Sequence, residues 1–291
     1  MIALSNPYKI AILTDSCADL SEELRAGKPI YTVPLKIACR DGEYFDGVDI
    51  FAPDIYRRLE AGELPKTSLP DFFTADRILS RIKAEGYERV LAIHLSSGLS
   101  GTYNMVRLLA EGRHDLEIAV FDSLSGALGM GVSVLQAWED IDNGMSWDEL
   151  VKERVPRLLA NTFPFFSVDT LEYLAKGGRI GKVTAMAGTM LNIKPLITFA
   201  ADGQLQSIAK VRGRNLVISK LIELVEQRHA GAARYNLAVA NGGAPAEMET
   251  LKEKLTAALP DYDHIWSGEL DGTLSVYIGD GVLGAAVQRL E

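Results

Sequence analysis

Residues 93–104 read Ile93-His94-Leu95-Ser96-Ser97-Gly98-Leu99-Ser100-Gly101-Thr102-Tyr103-Asn104, and the reading of this stretch decides the fold class. Just before it, Val90-Leu91-Ala92-Ile93 is an unbroken apolar run, the pattern of a buried parallel strand. From Thr102 onward apolar residues recur at helical spacing, at Tyr103, Val106 and Leu109. A strand therefore passes through a turn of small residues into the start of a helix. Backbone N–H groups and serine hydroxyls converge at that point, where the helix dipole favours negative charge. Ser96, Ser97 and Ser100 are thus candidates for holding an anion at the carboxyl end of a strand, where ligands of open α/β sheets sit. The alternative is that Ser100 only caps the helix.

Working outward, the same alternation continues. Residues 8–14 read as a first strand, Asp15-Ser16-Cys17-Ala18-Asp19 as a polar turn, and a short helix opens at Ser21. A second strand is expected over 30–37, with Pro34 marking an edge or a bulge. Arg40-Asp41-Gly42-Glu43 is a hairpin signal, followed by the acids Asp46 and Asp49. A helix over 53–61 leads to a loop at 64–70. Pro70 suits the first turn of a helix over 71–86, with Ser68 or Leu69 near its cap. A strand over 117–121 and a helix over 124–141 complete a β/α order that implies a parallel sheet.

Asn143-Gly144 is a break, and a strongly periodic helix spans 147–159. The expected organisation is two α/β domains: residues 1–155 with a mainly parallel sheet, and residues 156–291 with a mixed sheet. In the second half, strands are expected over 163–168, 193–199, 204–211, 236–240, 274–278 and 283–290. Asp202-Gly203 supplies a hairpin turn. Helices are expected over 171–175, 182–191, 215–227 and 246–259, the first of them stopped by Gly177-Gly178.

The 291 residues are long for a single core, and 47% hydrophobic with 24% charged residues is ordinary for a soluble globular chain. A net charge of −9 argues against nucleic acid, whose binding rests on clustered cations. The N-terminus lacks the basic and apolar regions of a secretory signal. The longest apolar run, 126–138, is too short and too rich in glycine for stable membrane insertion. Cys17 and Cys39 are two unpaired thiols, which suits a reducing cytoplasm.

Several motifs fail on context. Gly279-Asp280-Gly281-Val282-Leu283-Gly284 spells a dinucleotide fingerprint, but no βαβ unit follows it. Gly177-Gly178-Arg179-Ile180-Gly181-Lys182 departs from a phosphate-binding loop, with Lys176 where its first glycine should be and Val183 where serine or threonine should be. Gly98-Leu99-Ser100-Gly101-Thr102 misses a nucleophile elbow, which needs glycine at position 102. His94 reads as a packed histidine rather than a base for Ser100. The four histidines show no metal-ligand spacing, so no metal is expected. Two basic groups, Lys176/Arg179/Lys182 and Lys210/Arg212/Arg214, are either solvated faces or attractors of a carboxylate or phosphate.

Taken together, these stretches resemble the DegV family of bacterial fatty-acid-binding proteins. The resemblance runs through Thr14-Asp15-Ser16, Val33-Pro34-Leu35, Asp46-Gly47-Val48-Asp49-Ile50, Lys66-Thr67-Ser68 with Pro70, and Ser96 to Tyr103. It continues through Asp122-Ser123, Leu174 with Lys176-Gly177-Gly178-Arg179-Ile180, and Ile193-Lys194-Pro195. It implies two α/β domains with one long-chain fatty acid between them, its carboxylate hydrogen-bonded by Thr67 and Ser100, with Ser68, Ser97 and Gly101 beside them. It also implies a binding subunit without catalysis or cofactor, serving a separate fatty acid kinase that makes acyl phosphate for phospholipid synthesis. Such family members often carry a histidine near the C-terminus, where this chain has Tyr277. A tyrosine donates a hydrogen bond but does not become a cation near neutral pH. Arg212, expected near the head group, and Arg179, expected to face the kinase, would then carry more of the electrostatic burden.

Burying roughly fifteen methylenes at ~0.8 kcal/mol each offers on the order of 12 kcal/mol before the costs of binding. Such a ligand needs few polar contacts, which fits a chain without a catalytic constellation. Phe165, Phe166, Met186, Met190 and Leu191 are lining candidates. The rival readings are a hydrolase or acyltransferase using Ser100 as nucleophile, and a binder of another amphipathic acid.

Overall fold

The structure is a computed structural model that describes residues 6–186 and 192–291, with the side chains of all but 184–186. Its thirteen strands are β1 (Ile10–Asp15), β2 (Ile30–Val33), β3 (Lys36–Cys39), β4 (Gly42–Phe45), β5 (Lys66–Ser68), β6 (Arg89–His94), β7 (Glu117–Asp122), β8 (Thr162–Ser167), β9 (Ile193–Phe199), β10 (Leu205–Arg212), β11 (Tyr235–Gly242), β12 (Ile265–Glu269) and β13 (Val282–Arg289). The helices are α1 (Glu22–Arg25), α2 (Ala52–Glu60), α3 (Phe72–Ala84), α4 (Thr102–Glu111), α5 (Leu128–Asp142), α6 (Trp147–Glu149), α7 (Val155–Ala160), α8 (Glu172–Lys176), α9 (Val217–His229), α10 (Pro245–Ala258) and α11 (Gly272–Ile278).

Four strands form a wholly parallel sheet in the order β2-β1-β6-β7. Its central strands are apolar on both faces because helices cover both. Ile10, Ile12, Leu91 and Ile93 pack on Met130 and Val134 of α5. Ala11, Leu13, Val90 and Ala92 pack on Ala75 and Leu79 of α3 and on Val106 of α4. A small antiparallel sheet, β4-β3-β5, stands beside it. In the second half a six-stranded sheet runs β10-β9-β8-β13-β11-β12, antiparallel throughout except for the β11–β12 pair.

Helix α5 lies between the parallel sheet and the six-stranded sheet. Its Met130 and Val134 serve the first sheet, while Leu128 and Val132 pack on Ala238, Ala240 and Ala286 of the second. A helix apolar on every side must be buried on every side, which explains the long apolar run. Polar partners fix its seat: Asn236 donates to Gln136 Oε1 at 2.7 Å, and Gln288 donates to Ser133 Oγ at 3.0 Å.

Several local expectations differ. The single strand over 30–37 is two strands in different sheets, parted at Pro34-Leu35, and β2 is an edge strand. Within the expected loop at 64–70, Lys66–Ser68 pairs with β3. The cap of α3 is Asp71, accepting from Thr74 N–H at 2.9 Å, so Pro70 precedes the helix. The helix expected from 124 starts at Leu128. Residues 265–269, not anticipated, form β12. The strand expected over 274–278 is helix α11: Asp271 caps it by accepting from Leu274 N–H, and Gly279 ends it at φ 68°. Of the helix expected over 182–191, a 3₁₀ segment Gly181–Met186 is present and 187–191 lie outside the described residues.

Candidate functional site

A cavity of about 350 Å³ is lined by β5 of the small sheet, by the six-stranded sheet, by α5 and α11, and by the turn that follows β6. Its walls come from both halves of the chain: Leu35, Leu69, Leu99 and Leu128 from the first, and Phe165, Phe166, Phe199 and Leu274 from the second. The six-stranded sheet contributes a wall of small side chains. Ala238 lies opposite Ala286, and Ala240 opposite Gly284, in the β11–β13 register. Alternation turns these four positions to one face of the sheet, towards α5, and their small size leaves the space open.

The lining includes a distinct polar group: Thr67, Ser68, Ser100, Arg179, Thr273 and Tyr277. Thr67 sits in the middle of β5, which aligns it with Ile37 of β3. Its hydroxyl and that of Tyr277, near the end of α11, are 2.5 Å apart. The Arg179 guanidinium lies over the Tyr277 ring, 4.9 Å from its centre. Two carbonyls hold that guanidinium: Nη1 donates to Gly177 O at 2.8 Å and Nε to Leu99 O at 3.5 Å. Gly177 is required here, because a Cβ would stand 2.3 Å from Tyr277 Cδ1.

The turn 96–101 places Ser100. Ser96 O accepts from the N–H groups of Leu99 and Ser100, at 3.0 and 3.1 Å. Ser96 is itself spent on structure, donating to Gly203 O at 2.8 Å from the β9–β10 turn. Gly98 lies so close to that turn that a Cβ would meet Gly203 C at 2.5 Å. Ser100 Oγ accepts from Thr102 N–H at 3.3 Å and lies 2.9 Å from Thr102 Oγ1. It therefore supports the entry to α4 while lining the cavity. Among the described residues no base is a partner of its hydroxyl. His94 is fully buried, with Nδ1 3.0 Å from Asp15 Oδ2.

Of the expected site residues, Thr67, Ser68, Ser100, Gly101, Tyr277 and Arg179 line this one cavity, as do Phe165 and Phe166. Ser97 and Arg212 do not. Ser97 is exposed, its N–H donating to Asp122 Oδ1, and Arg212 is exposed at the end of β10. Arg214 is drawn to Glu247 and Asp169 instead. The side chain of Met186 and all of Met190 and Leu191 lie outside the described residues. Thr273, Leu274 and the small-residue wall were missed. The first two were hidden by reading α11 as a strand, although Asp271 carried a cap signal.

A second polar group lies below α11. Cys17 Sγ and one carboxylate oxygen each from Asp46 and Asp271 fall within 4.8 Å of one another. Burial, reinforced by the neighbouring acids, holds the Cys17 thiol and the Asp271 carboxyl well above their ordinary values. These are the properties of groups that keep their protons.

Among the described residues no helix is long and apolar enough to cross a membrane. The family model described as "Uncharacterised protein, DegV family" matches residues 9–290. A DegV domain-containing protein of Clostridium acetobutylicum is 36% identical over 279 residues, spanning 96% of this chain and 98% of its own. A solved DegV family protein from Thermus thermophilus, described by its fatty acid binding, superposes with a TM-score of 0.90 at 29% identity, covering 97% of this chain and 99% of its own. DegV from Bacillus subtilis, described as a fatty acid binding protein, gives 0.85 at 28% identity, covering 96% and 99%.

Proposed function

The chain belongs to the DegV family, and from that premise we propose that it binds one long-chain fatty acid between its two α/β domains, 1–155 and 156–291, without catalysis of its own. The carrying observation is a single cavity with apolar walls from both halves and a group of hydroxyls beside an arginine. The acyl chain runs along the small-residue face of β11 and β13. Its carboxylate meets Thr67, Ser68, Ser100, the Gly101 backbone and Tyr277. One proton of the Thr67–Tyr277 pair is shared between them, which leaves the other for the carboxylate. Hydrogen bonds from neutral donors to an ionised acceptor are the stronger kind. The Arg179 guanidinium supplies positive charge from behind the tyrosine ring, and its loop faces a separate kinase that receives the carboxylate. Relatives that share the fold and are described as fatty acid binding support this reading.

A serine hydrolase using Ser100 is the alternative. Among the described residues the hydroxyl's hydrogen-bond partner is Thr102 and not a base, which speaks against an activated nucleophile. Equilibrium dialysis with radiolabelled palmitate, run beside a fluorophosphonate probe, separates the two. Saturable uptake without labelling of Ser100 is expected. Labelling at Ser100, or no uptake, refutes the binding role.

A further inference from the structure

We propose that Asp19 and Asp46 are positioning residues for the ligand, holding helix α11 in place through a carboxyl cluster with Asp271 that keeps a proton among its members. The proposal rests on the fatty-acid reading above and adds how the head-group helix is held.

Helix α11 brings Thr273, Leu274, Tyr277 and Ile278 to the cavity. Its first backbone donors end on carboxylates: two from distant parts of the chain, Asp19 and Asp46, and one from its own cap, Asp271. Asp271 N–H donates to Asp19 Oδ1 at 2.9 Å, Gly272 N–H to Asp46 Oδ1 at 2.8 Å, and Leu274 N–H to Asp271 Oδ1 at 2.8 Å. The approach at Gly272 is close enough that a Cβ would meet Asp46 Oδ1 at 2.9 Å. Each of the three acids has a second oxygen, Oδ2, that is buried and has no partner among the described residues. Asp46 is 2% exposed and Asp19 7%.

Three such oxygens cannot all be anionic in one buried place. A charge taken from water needs a partner, or it is neutralised by a proton. Burial acts most strongly on both Asp19 and Asp271, and the charges of the other acids raise them further: Asp46 and Asp19 on Asp271, Asp46 and more weakly Asp15 on Asp19. Around them, Cys17 faces the cluster from the turn after β1 with its thiol proton retained, and Asp15 is occupied by Cys17 N–H, Leu95 N–H and His94. From α2, Tyr56 accepts from Ser275 Oγ at 3.1 Å and is pushed up to about 12 by burial, with Glu269 and Asp280 acting on it more weakly. A carboxylic acid proton between two of the aspartates satisfies one orphaned oxygen as donor and another as acceptor. Its loss leaves like charges in contact and drives the segment bearing Asp271 away from Asp19 and Asp46, taking Tyr277 with it.

The sign follows from burial. Asp19 is raised to about 7, so the native state binds more protons than the unfolded chain, whose carboxyls titrate near 4. Stability contributed by the cluster is complete below about pH 4 and is lost as pH rises through about 7. Palmitate affinity should hold up to about pH 7 and fall above it, where the proton leaves the native cluster, by at most about tenfold per pH unit for one linked proton.

The test compares the full-length protein with Asp19→Asn and Asp46→Asn, whose amides keep an acceptor oxygen and place N–H where the acid proton would be. Palmitate Kd is measured from pH 6 to 9 in EDTA, and urea midpoints from pH 5 to 9. Wild type should lose affinity and midpoint as pH rises, and both Asn variants should flatten both profiles. Binding profiles that run parallel in wild type and variants overturn the proposal. So does a Mg2+-dependent rise in the wild-type midpoint that the variants lack, which would replace the proton with a cation. If no palmitate binds at any pH, the fatty-acid reading fails and the coupling with it, and the urea profiles then report the cluster's proton alone. Should one variant fail to fold, the other and the wild-type profile still decide.

Discussion

Replacing Ala286 by leucine should shorten the cavity and invert the chain's preference among acyl lengths. Ala286 lies four residues along β13 from Val282, roughly 13 Å at strand rise, on the side away from Tyr277. It faces Ala238 across the ladder and packs towards Leu128 and Val132. The substitution adds three carbon atoms to the wall along which the acyl tail is proposed to run. Displacing about three methylenes at ~0.8 kcal/mol each costs about 2.4 kcal/mol, or roughly a 60-fold weaker Kd for a chain that fills the cavity. A chain three or four carbons shorter should be nearly unaffected. Displacement of a fluorescent fatty acid by C12, C14, C16 and C18 acids measures this directly, with a urea melt to confirm the fold. Equal weakening at every length, or none at C18, would refute the placement of the tail along β11 and β13.

At the other end, Thr67→Val and Ser100→Ala each remove a hydroxyl while leaving the shape. Each should weaken palmitate by about 1.5–3 kcal/mol, about ten- to 150-fold, and Ser100→Ala should also cost about 0.5–2 kcal/mol in urea by releasing Thr102 N–H; calorimetric titration and urea melts check both. Gly177→Ala forces a methyl into the Tyr277 ring and should weaken ligand binding more than stability, measured by dialysis and melting on one sample. Gly98→Ala should part the Ser96–Gly98 turn from the β9–β10 turn and lower stability by roughly 1–3 kcal/mol in urea. The buried pair of Arg154 and Asp140, 2.6 Å apart, also binds Leu290 O. Arg154→Ala should cost about 3–5 kcal/mol in urea, because Asp140 is left charged and buried.

The parallel sheet was legible because β1 and β6 are apolar on both faces, a pattern that only a doubly covered sheet produces. The run at 126–138 reads from sequence only as too short and too rich in glycine for membrane insertion, and the place of α5 between two sheets supplies the reason for its apolar character. Helix α11 was misread because Leu274-Ser275-Val276-Tyr277-Ile278 has the β-branched and aromatic content of a strand, and local propensity was outweighed by a cap at Asp271 and burial against α2. Strand 30–37 broke at Pro34 because its two halves serve different sheets, a tertiary fact with no local sign beyond the proline. Thr67, Ser100 and Tyr277 were marked by their motifs, and the structure brings them to one cavity. The wall at Ala238, Ala240, Gly284 and Ala286 left no trace, since small residues advertise no chemistry. Asp19, Asp46 and Asp271 come together only through the fold, being more than two hundred residues apart at their extremes.

The most direct test of the central claim is native mass spectrometry of the purified full-length protein, followed by organic extraction and identification of what it releases. One equivalent of a long-chain fatty acid per chain is expected, exchangeable for added palmitate. A mass equal to the polypeptide alone, unchanged after incubation with palmitate or oleate, would contradict it.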